Sequence, residues 1–301
     1  MLEIIRESFD GIRTHRLRSM LTMLGIIIGI ASIMAISSTI LGTNEQIKQN
    51  LIGSGNNTVE VRLYQGEYAF ESDYNQLPEY VPLFNSDILQ DVDRIPTVES
   101  SSVYLQRSAY GEVVVGSQYL SNCTLYGVDE KFASVKGYVI KSGRGLLKED
   151  FTAHRKVCIM EDTGVEMLFE GQNPVGRILE ISGEPFTVVG VYTKNSAFTP
   201  SMETINDYYT YNGYEQSGGV MIPFDTWSIM YGYDKPLNVV VRAASTDDMT
   251  DAGKAVADLL NSRFSQTDTE VKYRAADILE QARKMQELSG SNNRLLIWVA
   301  G

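Results

Sequence analysis

The residues best equipped for chemistry are few and scattered. Two histidines, His15 and His154, stand without another metal-ligating side chain at helical or turn spacing. That argues against a zinc site or a histidine-activated nucleophile. Gly143-Arg-Gly145 is a glycine turn, but the lysine and hydroxyl residue that complete a phosphate-cradling P-loop do not follow it. Glu149 and Asp150 are adjacent carboxylates of the kind acid–base catalysis uses. Solvation at a surface explains such neighbours more simply. Cys158 lies in the apolar run Val157-Cys-Ile-Met160, where a free thiol packs as a small hydrophobe; a single bridge to Cys123 is the alternative. The chain is therefore expected to be a non-catalytic subunit with no metal and no cofactor.

Recognition is the other chemistry open to it. Two polar loops, Tyr64–Phe84 and Lys194–Gly219, interrupt the regular pattern, and the second carries Tyr208, Tyr209, Tyr211 and Tyr214. Tyrosine combines broad contact area with a hydroxyl at low entropic cost, which makes this loop a candidate contact for a partner or substrate. For both loops a solvated insertion is the plainer reading. Nucleic acid is excluded as a partner, because 38 acidic residues against 26 basic ones leave a net charge of −12 and no cationic footprint.

These loops must be carried by something, and the N-terminal region says where. No charged residue occurs from Ser19 to Asn44. The run over 20–41 has the length of about 20 residues that lets a helix cross a hydrocarbon core, so it is expected to be a transmembrane helix. A cleaved signal peptide is the rival, but its apolar part is usually about 7–15 residues long and ends in small residues. Arg13, Arg16 and Arg18 precede the span, which keeps the N-terminus cytoplasmic and puts the main domain outside. Gly25 and Gly29 form a G-x-x-x-G spacing that lets a second helix approach closely. Residues 1–19 place Ile4, Ile5, Ser8, Phe9 and Ile12 on one helical face, fitting an amphipathic segment on the inner membrane surface or against a cytoplasmic partner, or else an N-terminal extension of the span. Residues 42–56 and 275–293 read as stalks, and 294–301 as the start of a second span.

Between the stalks the pattern is α+β. Strands are expected at Thr58–Leu63, 98–110, Glu112–Val115, Cys123–Tyr126, Lys156–Met160, Arg177–Ile181, Pro185–Tyr192, Asn238–Ala243 and Glu270–Tyr273. Helices fit Ser86–Ile95, Glu161–Phe169, Phe224–Met230 and Asp247–Phe264. A strand-helix-strand unit at each end suggests two halves of one ferredoxin-like layer. On this reading 57–117 and 219–274 form one lobe and 118–218 a second, inserted lobe.

The run Arg16-Leu-Arg-Ser-Met-Leu-Thr-Met-Leu-Gly-Ile-Ile-Ile-Gly-Ile-Ala-Ser32 resembles the opening of MacB/FtsX-type ABC transporter permeases. Three further stretches are similar to that family's periplasmic core: Gly143–Phe151, Asn173–Val191 and Val220–Phe224. The resemblance implies a porter lobe with an inserted sabre lobe, four spans, a homodimer or related permease partner, and a cytoplasmic ABC ATPase. Because Met1 opens directly on the permease, that ATPase is expected on a separate chain. Export of a peptide, drug or lipid-linked substrate, with a membrane-fusion adaptor, is the function implied. The alternative is an FtsX-like signalling permease that activates a cell-wall hydrolase without transport.

Overall fold

The computed structural model describes residues 16–17, 20–35, 38, 57–66, 68–194, 218–233, 235–266 and 270–276. The chain divides into two compact units, Met1–Ile47 with Ala282–Gly301, and Lys48–Gln281.

In the first unit residues 20–35 are helical and, Ser32 apart, exposed. No helix among the described residues is long and apolar enough to cross a membrane. The expected span over 20–41 and both stalks extend outside the described residues, as does the run 294–301.

The second unit is mixed α/β. Its strands are β1 (Thr58–Gln65), β2 (Tyr68–Ala69), β3 (Val98–Ser108), β4 (Val113–Val115), β5 (Gln118–Tyr119), β6 (Thr124–Val128) and β7 (Val139–Gly143). They continue with β8 (Val157–Glu161), β9 (Ile178–Ile181), β10 (Glu184–Thr193), β11 (Gly219–Pro223), β12 (Asn238–Ala243) and β13 (Val271–Ala276). The helices are α1 (Leu89–Val92), α2 (Phe132–Val135), α3 (Lys148–Thr152), α4 (Asp162–Phe169), α5 (Phe224–Tyr231) and α6 (Met249–Asn261). All the strands join one sheet in the order β13-β1-β12-β3-β6-β11-β8-β10-β9-β4-β5, with β2 on β1 and β7 on β10. Most pairs are antiparallel; β6/β11 and β8/β10 are parallel.

Alternation along β1 explains the layering. Val59, Val61 and Leu63 are buried, whereas Glu60, Arg62 and Tyr64 are only partly covered. A strand sends successive side chains to opposite faces, so one face is apolar and the other polar. Over the apolar face lies α6, whose Met249, Ala252, Gly253, Val256 and Leu260 recur at helical spacing and are all buried. Gly253 permits the close approach: a Cβ there would meet Val59 Cγ1 and Ala275 Cβ at 2.7 Å. Each large side chain so buried contributes about 1.5–3 kcal/mol. Register fixes the edge as well. Glu60 pairs with Ala276, so the chain enters β1 and leaves β13 at the same end of the sheet.

Several expectations need correcting. The helix expected over Ser86–Ile95 is a 3-10 turn at Ser86–Ile88, capped by the Asn85 side chain, followed by the four-residue α1. Neither α2, α3 nor β7 was expected. The loop Tyr64–Phe84 is not simply a solvated insertion. Asp73 pairs with Lys235 at 2.8 Å and accepts from the Ser108 N–H at 2.9 Å. Val81 is buried, and Phe84 sits edge-on to Tyr273.

The surface reading of Glu149 and Asp150 also fails for one of the two. Asp150 has no exposed side-chain area. It accepts from Arg144 at 2.6 and 3.1 Å, from the Leu147 N–H at 2.9 Å and from Arg155 at 3.4 Å. Burial pulls its pKa upward, but the bonds from Arg144, Leu147 and Arg155 outweigh it and hold the carboxyl below its ordinary value. Asp150→Asn is expected to cost about 2–3 kcal/mol, the lower side of buried-pair losses because both guanidiniums keep contact with water. Urea denaturation checks it; an unmoved midpoint would contradict the role given to this carboxylate.

Candidate functional site

The face of the sheet opposite α6 carries the polar side chains of β1 at its edge and, over the strands beyond, a second buried core that includes Tyr104, Val128, Phe132, Tyr192, Met221 and Val240. Register carries it from Glu60 to Val240 on β12, to Ser102 and Tyr104 on β3, and to Val128 on β6. Over β3 and β12 lies α2, whose Phe132 is the hub of an aromatic row. Its ring centroid is 5.1 Å from Tyr104, 6.0 Å from Tyr126 and 6.1 Å from Tyr138. Tyr138 then stacks on Tyr192 of β10 at 5.2 Å with 16° between planes.

Charge is placed at both ends of this row. At one, Glu60 pairs with Lys136 and accepts from the Tyr104 hydroxyl at 2.9 Å, with Arg62 at 3.9 Å. Lys136 also stands 5.7 Å over the Tyr138 ring, a cation–π contact. Burial would raise the Glu60 carboxyl, but the Lys136 and Arg62 charges and the bonds from Lys136 and Tyr104 hold it at about 2. At the other end Lys194 pairs with Glu161 at 2.8 Å. Gly219 makes room there: a Cβ would lie 2.4 Å from the Tyr192 hydroxyl and 3.2 Å from Glu161 Oε2. The Tyr192 hydroxyl is fully buried and has no hydrogen-bond partner among the described residues. Burial raises the hydroxyls of both Tyr104 and Tyr192 well above their ordinary pKa, so both stay protonated.

This arrangement positions aromatic and charged groups. Among the described residues no three His, Cys, Asp or Glu side chains converge to hold a metal. Cys123 and Cys158 are free and buried. Burial pushes the Cys123 thiol up to about 12 and the Cys158 thiol higher still, far from thiolate reactivity.

Of the residues singled out in sequence, Gly25 and Gly29 lie on the N-terminal helix, where a Cβ at either meets nothing within 4 Å. Arg16 is exposed on that helix. Arg13, Arg18, Tyr208, Tyr209, Tyr211 and Tyr214 lie outside the described residues. Sequence reasoning missed Tyr104, Tyr126, Tyr138 and Tyr192. Their common signal was position: three sit on strands and one beside β7, and only the pairing register aligns them.

The three stretches that suggested a periplasmic core meet one another. Gly143, at φ +72°, ends β7 against β10, and the Arg144 N–H donates to Val189 O at 2.9 Å. The hairpin β9/β10 turns at Ser182 and Gly183, both at positive φ; φ > 0 at both central residues marks a type I′ turn. Strand β11 pairs with β8, the parallel neighbour of β10. A family profile, the MacB-like periplasmic core domain, matches residues 19–259.

The chain belongs to that family.

Among its relatives, the uncharacterized ABC transporter permease YvrN of Bacillus subtilis is 32% identical over all of this chain and 71% of its own length. The permease YknZ of the same organism is 27% identical over all of this chain and 70% of its own. The macrolide export ATP-binding/permease protein MacB of Aggregatibacter actinomycetemcomitans is 26% identical over 89% of this chain, which spans 38% of that relative. The fold agrees. The periplasmic region of MacB from Actinobacillus actinomycetemcomitans superposes with a TM-score of 0.56 at 21% identity, over 79% of this chain and 98% of that one. The extracellular domain of YknZ gives 0.50 at 20% identity, over 72% and 98%. Membership makes this chain part of an ABC transporter permease of the MacB/YknZ type and its core domain extracytoplasmic.

Proposed function

We propose that the chain is the front part of a permease subunit that couples ATP hydrolysis by a separate cytoplasmic ATPase to motion of the outer domain. The work done is export of a peptide, drug or lipid-linked substrate from a cell membrane. One observation carries this reading. Glu60 and Ala276 are directly paired, so the connections toward 20–41 and toward 294–301 leave the domain side by side. A domain held at two adjoining points suits a lever between two membrane helices, with the N-terminus inside as Arg13, Arg16 and Arg18 favour.

The finer architecture follows the same reading. The order β13-β1-β12-β3, with α1 after β1 and α6 between β12 and β13, supports a ferredoxin-like porter lobe. Residues 118–218 supply the inserted lobe, and the open surroundings of Gly25 and Gly29 favour helix pairing in a homodimer. The tyrosine-rich loop after Lys194 is the proposed contact for substrate or for a membrane-fusion adaptor.

Inactivating the partner ATPase at its P-loop lysine is expected to raise cellular retention of macrolide and peptide probes while cell-wall hydrolysis stays unchanged. Unchanged retention with lost hydrolysis would replace export by an FtsX-like signalling role.

A further inference from the structure

Three neighbouring strands bring unfinished polar groups to one point. Tyr192 on β10 stands beside Glu161, the last residue of β8, in the parallel register, and Gly219 opens β11 on the other side of β8. The point that a Cβ of Gly219 would occupy lies against the Tyr192 hydroxyl, 3.2 Å from Glu161 Oε2 and 3.3 Å from Tyr126 Cε2. Both oxygens are buried, and neither has a hydrogen-bond partner among the described residues. A buried oxygen left unbonded has lost its hydration without replacement, so two of them facing one point call for an explanation.

Glu161 is the informative member. It stands at the N-cap of α4, where a side-chain oxygen ordinarily accepts from the N–H groups of the first turn, yet it makes no such bond. Its one ion pair among the described residues is with Lys194, 2.8 Å away but without hydrogen-bond geometry. The two partners differ in burial: the Glu161 side chain is 9% exposed and that of Lys194 47%. An ion pair to an exposed lysine is usually worth little, and this one explains neither the unbonded carboxylate oxygen nor the Tyr192 hydroxyl. A bridging water would satisfy both oxygens, but it would not neutralise the carboxylate.

We propose that Glu161 and the Tyr192 hydroxyl form a seat for a primary ammonium group, which Lys194 fills in the free domain and an amine-bearing ligand takes in its place. A primary ammonium has three donors and no acceptor. It can donate to Glu161 Oε2 and to the Tyr192 oxygen together, neutralise the carboxylate, and lie beside the rings of Tyr126 and Tyr192, whose faces attract cations. Lys194 supplies the same group from a half-exposed stem held by charge alone, so its departure costs little. The ammonium belongs either to a small alkylamine or to a lysine side chain of a peptide, since both present the same donors. Reading that ligand as the exported substrate rests on the function proposed above; the seat itself does not.

The test titrates the full chain in neutral detergent micelles with butylammonium, Nα-acetyl-lysine N-methylamide and tetramethylammonium, at fixed neutral pH and ionic strength, following heat of binding. The expected result is saturable binding of the two primary amines that Lys194→Gln tightens about tenfold or more, because the internal competitor is gone, and that Glu161→Gln abolishes. Tyr192→Phe is expected to weaken binding several-fold while leaving the domain at least as stable, since the hydroxyl it removes is unbonded. Lys141→Gln, which breaks the neighbouring pair with Asp162, is expected to change nothing. Should Glu161→Gln not fold, Lys194→Gln and Tyr192→Phe carry the test. Tighter binding of the lysine amide assigns the seat to a peptide, and equal or tighter binding of butylammonium to a small amine; both support the proposal. No saturable binding of either amine to Lys194→Gln, equal affinity in parent and Lys194→Gln, equal binding of tetramethylammonium, or undiminished binding in folded Glu161→Gln or Tyr192→Phe overturns it. Heat of binding involves neither ATPase nor export, so a null result leaves the permease reading standing. Failed export with intact binding would remove only the assignment of the ligand as substrate.

Discussion

Alanine at Gly190 is expected to destabilise the outer domain by about 4 kcal/mol, a large share of the roughly 5–15 kcal/mol that holds a domain folded. The cause is backbone against backbone. A Cβ on Gly190 would lie 2.1 Å from the Arg144 carbonyl oxygen and 3.0 Å from its carbon. Neither atom belongs to a flexible side chain that can swing aside. Relief requires the Gly143-Arg-Gly145 turn to lift from β10, which breaks the pairing of Gly143 with Gly190 and the 2.9 Å bond from Arg144 N to Val189 O. It also drags Arg144 from Asp150, so that a moderate overpacking cost of about 1–3 kcal/mol is joined by part of a buried ion pair. Gly145 is the internal control. A Cβ there meets nothing within 4 Å, and Gly145→Ala is expected to stay within about 0.5 kcal/mol of the parent. Denaturant midpoints of the three proteins decide the matter, and a Gly190→Ala protein as stable as Gly145→Ala would refute this account of the turn.

Removing the Glu60 charge is expected to have the second large effect, and one that depends on pH. Its folded pKa of about 2 lies below the ordinary glutamate value. A depressed carboxyl stabilises the fold fully above its unfolded pKa and loses that contribution as pH falls through the folded value. The wild-type domain is therefore expected to lose on the order of 3 kcal/mol from this group between about pH 5 and pH 2. Glu60→Gln is expected to be weaker by about 2–4 kcal/mol at pH 7, because Lys136 and Arg62 then share a half-enclosed space with no carboxylate. The two proteins should converge toward pH 2. Asp73, Asp150 and Asp162 are also depressed and slope the same way, but they are common to both proteins and cancel in the difference. Urea midpoints at pH 7, 5, 3.5 and 2.5 measure it; parallel curves would rule out Glu60 as the source.

Elements with internal periodicity were legible from sequence, and those without it were not. Met249, Ala252, Gly253, Val256 and Leu260 announce α6, β1 alternates cleanly, and Ser182-Gly183 marks its hairpin. By contrast α2 and α3 have only four and five residues. One turn of helix is too short to display a period and is held by tertiary contacts, here Phe132 on the face opposite α6. Asp150 was misread because its burial comes from Arg144, Arg155 and the packing around them, not from its neighbour Glu149. The candidate site was hidden for a related reason. Tyr104, Tyr126, Tyr138 and Tyr192 are spread over almost ninety residues and become one row only through the order in which their strands pair. Motif reading nevertheless found the family, because the stretches around Gly143, Gly190 and Val220 must fit one another and leave little freedom in residue type.

The shared exit of β1 and β13 has a mechanical meaning. Forces that draw residues 57 and 276 apart would open the β1/β13 pair from its end, one hydrogen bond after another, against low resistance. Forces that move both together meet the β1/β12 ladder lengthwise, where all its bonds share the load. The β1/β13 edge is thus expected to yield when residues 57 and 276 are drawn apart and to resist their common displacement along β1.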